Sequence, residues 1–99
     1  MTRLKAQFPP PTFKRDNKCL AKKHVDTTPL EEVNDLIIEN STASLDELKH
    51  RHNMHTLSEP WKGSYECHVC NAGDWLLIWR VFDQLAVLQR TGSHDELFK

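Results

Sequence analysis

Trp75-Leu76-Leu77-Ile78-Trp79-Arg80-Val81-Phe82, then Asp83-Gln84, then Leu85-Ala86-Val87-Leu88-Gln89-Arg90-Thr91, is the stretch that decides the fold of this 99-residue chain. The first run is nearly all apolar, as a strand buried on both faces should be. Asp83-Gln84 turns the chain, and Leu85 to Thr91 forms another strand before Gly92. On the upstream side, Tyr65 to Cys70 reads as a strand and Asn71-Ala72-Gly73 as turn chemistry. Strands joined by such short turns pair antiparallel, so the C-terminal third is expected to be a meander.

Further upstream the periodicity changes. Leu4-Lys5-Ala6-Gln7-Phe8 alternates and reads as a short strand stopped by Pro9-Pro10-Pro11. Thr12 to His24 predicts a helix with Phe13, Asn17, Leu20 and His24 on one side. Thr27 or Thr28 is placed to cap a second helix, with Pro29 at its first position and Glu31-Glu32 in its first turn. Leu30, Val33, Leu36 and Ile37 carry that helix to near Asn40. Ser44-Leu45-Asp46-Glu47 has the form of a capping box opening a single helical turn, and residues 50–55 read as loop. The expected class is α+β: an N-terminal strand, two helices, then an antiparallel β-meander packed on them, in one domain spanning residues 1–99.

Composition narrows the classes of function. The chain is 38% hydrophobic and 27% charged, ordinary for a globular protein, and no run approaches the ~18 apolar residues that span a bilayer. Met1-Thr2-Arg3-Leu4-Lys5 lacks the apolar stretch of a secretory signal, so a cytoplasmic protein without membrane association is expected. The three cysteines, Cys19, Cys67 and Cys70, are odd in number and too few for a disulfide framework. The net charge of −1 conceals an asymmetry: residues 1–25 carry Arg3, Lys5, Lys14, Arg15, Lys18, Lys22 and Lys23 against Asp16, whereas residues 26–48 are acidic. A basic segment can meet phosphates or can be a solvated helix face. Charge alone does not choose.

The ends of the strands are more informative. In the expected meander, His68 near the end of one strand, Asp74 at the start of the next, and Arg90 with His94 at the end of the third share one edge. This set suits cleavage of RNA by its own 2′-hydroxyl. A base removes the hydroxyl proton, an acid protonates the departing 5′-oxygen, and a cation steadies the charged phosphorane. Histidine, titrating near ~6.5, can serve in either proton role. Arginine stays charged and matches phosphate with two donors. No cofactor or metal is required. Each residue also has a plain structural reading: a solvated or hydrogen-bonded histidine, and an aspartate capping the turn after Gly73.

Trp61-Lys62-Gly63, Glu66-Cys67-His68-Val69, Asp74-Trp75-Leu76-Leu77-Ile78-Trp79 and Arg90-Thr91-Gly92-Ser93-His94, followed by Leu97-Phe98, occur in this order. In this series the chain resembles the YafQ family of messenger-RNA interferases, in the RelE/ParE toxin superfamily. The resemblance implies a RelE-like fold and a toxin of a type II toxin–antitoxin system. It implies a ribosome-dependent endoribonuclease that cuts messenger RNA in the decoding site and is wrapped by a cognate antitoxin. Carried over by position, His55, His68, Asp74, Arg90 and His94 resemble the catalytic cluster. His94 would protonate the leaving oxygen and Arg90 would hold the phosphate. His68 or Asp74 would act as base or orient it, and His55 would assist. Trp75, Phe98 and Lys62 resemble RNA contacts, where an aromatic ring stacks a base at roughly 1–3 kcal/mol; the plain readings are docking of the tail for Phe98 and core packing for Trp75, which is favoured there. The connection Val69 to Gly73 is longer than is usual in the family.

Other readings compete. Cys67-His68-Val69-Cys70 suggests zinc, but a structural site needs four ligands and no second cysteine pair exists, so buried free thiols are expected instead. His50, His52 and His55 are close enough in sequence to catch a metal adventitiously, yet His50 and His52 are expected in solvent. A ParE-like toxin that binds gyrase without catalysis, and an inactive relative that only binds an antitoxin, are the alternatives in function.

Overall fold

The expected α+β order is observed, with one helix and one short strand added. A computed structural model describes residues 3–6, 11–58, 61–69, 74–93 and 97. Within them run β1 (Lys5–Ala6), α1 (Pro11–Lys22), α2 (Thr28–Glu39), α3 (Thr42–Arg51), β2 (His55–Thr56), β3 (Tyr65–His68), β4 (Leu76–Phe82) and β5 (Leu85–Gly92). The sheet order is β1-β5-β4-β3-β2, with β1 parallel to β5 and every other pair antiparallel.

The helix ends follow from local hydrogen bonding. At the end of α1, Val25 N–H donates to the Leu20 carbonyl and His24 N–H to that of Ala21, both at 3.1 Å, while His24 adopts φ 58°. This is a Schellman cap, so His24 terminates the helix and is not on its face. A left-handed residue with a Cβ costs ~1–2 kcal/mol, partly offset because glycine gives up ~0.4–1 kcal/mol in the unfolded chain. His24→Gly is therefore expected to stabilise the fold by about 0.5–1 kcal/mol. The check is a higher urea midpoint at unchanged slope.

α2 starts at Pro29's turn, but the cap is supplied by Asp26. Its Oδ1 accepts the Thr28 N–H at 3.0 Å and the Thr28 hydroxyl at 2.8 Å, which holds the Asp26 carboxyl below its ordinary range. Thr27, the N-cap by position, makes no side-chain cap bond. Leu30, Val33 and Ile37 are buried as their spacing predicts.

α3 departs from expectation. The capping box lies three residues earlier than read, at Ser41 and Ser44: Ser44 N–H donates to Ser41 Oγ at 3.0 Å, and Ser41 N–H to Ser44 Oγ at 2.9 Å. The helix then runs 10 residues to Arg51 instead of a single turn. Its buried stripe is narrow, Ser44 and Leu48 with Leu45 partly covered, and the basic end Lys49-His50-Arg51 hides the helical period.

The sheet has two unlike faces. Cys67, Val69, Leu77, Trp79, Ala86 and Leu88 pack against Phe13 of α1, Leu30, Val33 and Ile37 of α2, and Leu48 of α3. On the other face Leu76 and Ile78 are buried beneath Leu97, with Leu57 and Trp61 beside them. β4 is thus buried on both faces only through Trp79. Arg80, Val81 and Phe82 are exposed, Phe82 by 69%, although Ala86, the partner of Val81, is buried in the helix-side core. That hairpin closes through Asp83 and Gln84 at φ 49° and 65°, a two-residue turn whose left-handed backbone matches strand twist. A bulge sets Ile78 opposite Arg90 and Trp79 opposite Leu88, leaving Gln89 as the extra residue; it accepts the Ser64 hydroxyl at 2.7 Å.

Cys67 is buried and free, as expected for it in place of a zinc ligand, and Cys19 is exposed; Cys70 lies outside the described residues. The Cys67 thiol is pushed up to about 12, first by burial and second by the neighbouring Glu66 carboxylate. The folded state holds that proton more tightly than the unfolded chain does. Its contribution is complete below the ordinary thiol range of ~8.5 and is lost as pH climbs towards 12. At pH 8, iodoacetamide is expected to label Cys19 in the native protein and Cys67 only after denaturation, as read by peptide mass spectrometry.

Candidate active site

Strand register builds the site. His55, Glu66, Ile78 and Arg90 form one row across β2, β3, β4 and β5, and His68, Leu76 and Gly92 form the next row across β3, β4 and β5. The rows are two residues apart along each strand, so they lie on the same face, about 7 Å from one another. This is the face opposite α1, α2 and α3, where Leu97 packs on Leu76 and Ile78. Asp74 is exposed, two residues ahead of Leu76.

His55 is held from both ring nitrogens. Asn53, at φ 53°, turns the chain out of α3 so that its carbonyl accepts from His55 Nδ1 at 2.8 Å. A carbonyl can only accept, so Nδ1 carries a proton. Nε2 faces Glu66 Oε1 at 3.2 Å, with 44% of the histidine side chain exposed and 5% of the glutamate. The ring satisfies both contacts when it carries both protons.

His68 is positioned through its backbone. Its N–H donates to the His52 carbonyl at 2.7 Å, and its carbonyl accepts from His52 Nδ1 at 2.8 Å. His52 is therefore half-buried and bonded where solvent exposure was expected, because the chain leaving α3 pairs with the end of β3. His50 is exposed.

Arg90 is gripped by Asp16 of α1. Arg90 Nε donates to Asp16 Oδ2 at 2.7 Å and Nη2 to Oδ1 at 3.1 Å, and Thr91 N–H donates to Oδ2 at 3.2 Å. Trp75, partly buried against the helix-side core, donates its indole N–H to Thr91 Oγ1 at 2.9 Å. Lys62 is exposed, and its carbonyl accepts from Arg80 Nη2 at 2.9 Å. The neighbouring Gly63, at φ 93°, sits so close that a Cβ would meet Arg80 Nη2 at 3.1 Å. His94 and Phe98 lie outside the described residues. The residues on either side of His94 are joined: Leu97 N–H donates to the Ser93 carbonyl at 3.0 Å.

Two carboxylates, Glu66 and Asp16, join the site in addition to the residues expected there. Glu66 had a usable signal, since it precedes His68 by two residues and so shares its face. Asp16 had none, because nothing local links it to Arg90.

The family model for the bacterial toxin of type II toxin–antitoxin systems, YafQ, matches residues 6–99. The chain belongs to the YafQ family. The mRNA interferase toxin YafQ of Escherichia coli (strain B / BL21-DE3) is 35% identical over 86 residues, 87% of each chain. The crystal structure of YafQ from E. coli strain BL21(DE3) superposes with a TM-score of 0.82 at 30% identity, covering 98% of this chain and 100% of that one. YafQ in the E. coli DinJ-YafQ toxin-antitoxin complex gives 0.81 at 30% identity, covering 99% and 100%. The YafQ structures share this α+β fold.

Proposed function

We propose that this YafQ-family toxin is an endoribonuclease that cuts messenger RNA in the ribosomal decoding site and is restrained by a cognate antitoxin. The observation that carries the reading is the register: His55, Glu66, His68 and Arg90 occupy adjacent rows of one sheet face. The name of the E. coli relative, mRNA interferase toxin, supports the substrate class. The DinJ-YafQ complex supports an antitoxin partner.

The reaction is an in-line displacement. His68 or Asp74 takes the proton from the 2′-hydroxyl, or orients the group that does, and the 2′-oxygen forms a bond to phosphorus. Arg90 balances the charge on the equatorial oxygens. His94 returns a proton to the 5′-oxygen as the P–O5′ bond breaks. His55, oriented by Asn53 and Glu66, assists with proton or phosphate handling. Trp75, Phe98 and Lys62 contact the RNA. The products are a 2′,3′-cyclic phosphate and a 5′-hydroxyl. Every proton and charge is handled by a side chain, so no metal or cofactor is invoked. The chain acts as one domain, residues 1–99, in the cytoplasm where its substrate is translated.

The test is to add the purified chain to translating ribosomes and map the message ends. Discrete cuts bearing the stated termini are expected. Intact message with blocked DNA supercoiling would replace this reading with a gyrase-binding toxin. Intact message, unaffected supercoiling and tight antitoxin binding would replace it with an inactive relative.

A further inference from the structure

The Asp16–Arg90 pair is one end of a connected set of hydrogen bonds. Asp16 accepts from Arg90 Nε and Nη2 and from Thr91 N–H. The Thr91 hydroxyl donates to the Leu76 carbonyl at 2.8 Å and accepts the Trp75 indole N–H at 2.9 Å. One carboxylate on α1 thus ties the end of β5 to the start of β4. Asp16 is 11% exposed and Arg90 24%, so water competes weakly for these bonds.

The guanidinium is a rigid planar fork of donors. Asp16 takes the Nε–Nη2 edge with two parallel bonds, which fixes the plane and direction of the whole group. An arginine without such a partner must lose its rotamer freedom during catalysis, whereas a pinned one is already aligned. A carboxylate also subtracts positive charge from the place where RNA arrives. Orientation and charge therefore predict opposite signs for its removal.

We infer that Asp16 is a positioning residue of the cleavage reaction, fixing the direction in which Arg90 meets the scissile phosphate. The inference rests on the nuclease reading above. Asp16→Asn keeps the size but offers a donor where Nη2–H needs an acceptor. It is expected to lower kcat by roughly 10–100-fold. KM for ribosome-bound message stays unchanged or falls, because the local positive charge is less neutralised. In an Arg90→Ala background the same substitution has no further effect on kcat, since the group it positions is gone. Asp16→Glu, which restores a carboxylate, recovers part of the loss.

Three results would overturn the inference: an unchanged or raised kcat, a full additional loss in the Arg90→Ala background, or loss of the folded state in both Asp16→Asn and Asp16→Glu. The wild-type protein runs in parallel. Intact message there removes the nuclease reading itself, whereas cleavage there beside an unimpaired Asp16→Asn removes this inference alone.

Discussion

His94→Ala is expected to lower message cleavage on translating ribosomes by about 10²–10⁴-fold, the contribution of one positioned proton transfer. The 5′-alkoxide is a poor leaving group unless it is protonated as it departs, and alanine has no proton to give. The fold should survive the substitution, because the tail is anchored on either side of this position. Leu97 is buried on Leu76 and Ile78 and donates to the Ser93 carbonyl at 3.0 Å. A melting curve matching that of the wild type, with message ends no longer produced, is the expected pair of results. The pH–rate profile adds a second check. The limb on which rate falls as the acid loses its proton should vanish in the variant. Cleavage by His94→Ala at the wild-type rate would reassign the proton donor.

Trp79→Ala is expected to destabilise the fold by about 3–5 kcal/mol, a large share of the ~5–15 kcal/mol available to a domain of this size. Trp79 is 2% exposed, in the middle of the helix-side core, and its ring stacks on Tyr65 with centroids 5.7 Å apart. Removing it leaves a cavity bounded by packed strands and helices that cannot close around alanine. Phe82, three residues later on the same strand, is 69% exposed, and Phe82→Ala should shift stability by no more than about 0.5 kcal/mol. Urea unfolding of the two variants measures the contrast. Equal losses would mean that the outer end of β4 is covered in solution.

That contrast marks a limit of reading the chain alone. From Trp75 to Phe82 every residue but Arg80 is apolar, and a strand buried throughout is the natural reading. Only the positions of the covering layers distinguish Trp79 from Phe82. The candidate site was partly legible in the same way. Turn positions alone predict His68, Asp74, Arg90 and His94 at one edge, and the family likeness adds His55. The hidden carboxylates and His52 are different. Glu66 meets His55 through the pairing of β2 with β3, and His52 pairs with the end of β3. Asp16 meets Arg90 across 74 residues.

The order of elements, the start of α2, the two-residue β4–β5 turn and the alternation of faces were written in the chain. They arise from interactions within a few residues: caps, fixed dihedrals, and periods of 3.6 or 2. The length of α3, the exposed end of β4 and the polar pairs that orient the arginine and the histidines were decided by tertiary structure. A strand register, a bulge and a helix docked on an edge are set by how whole layers pack, and they bring together groups that no local pattern relates.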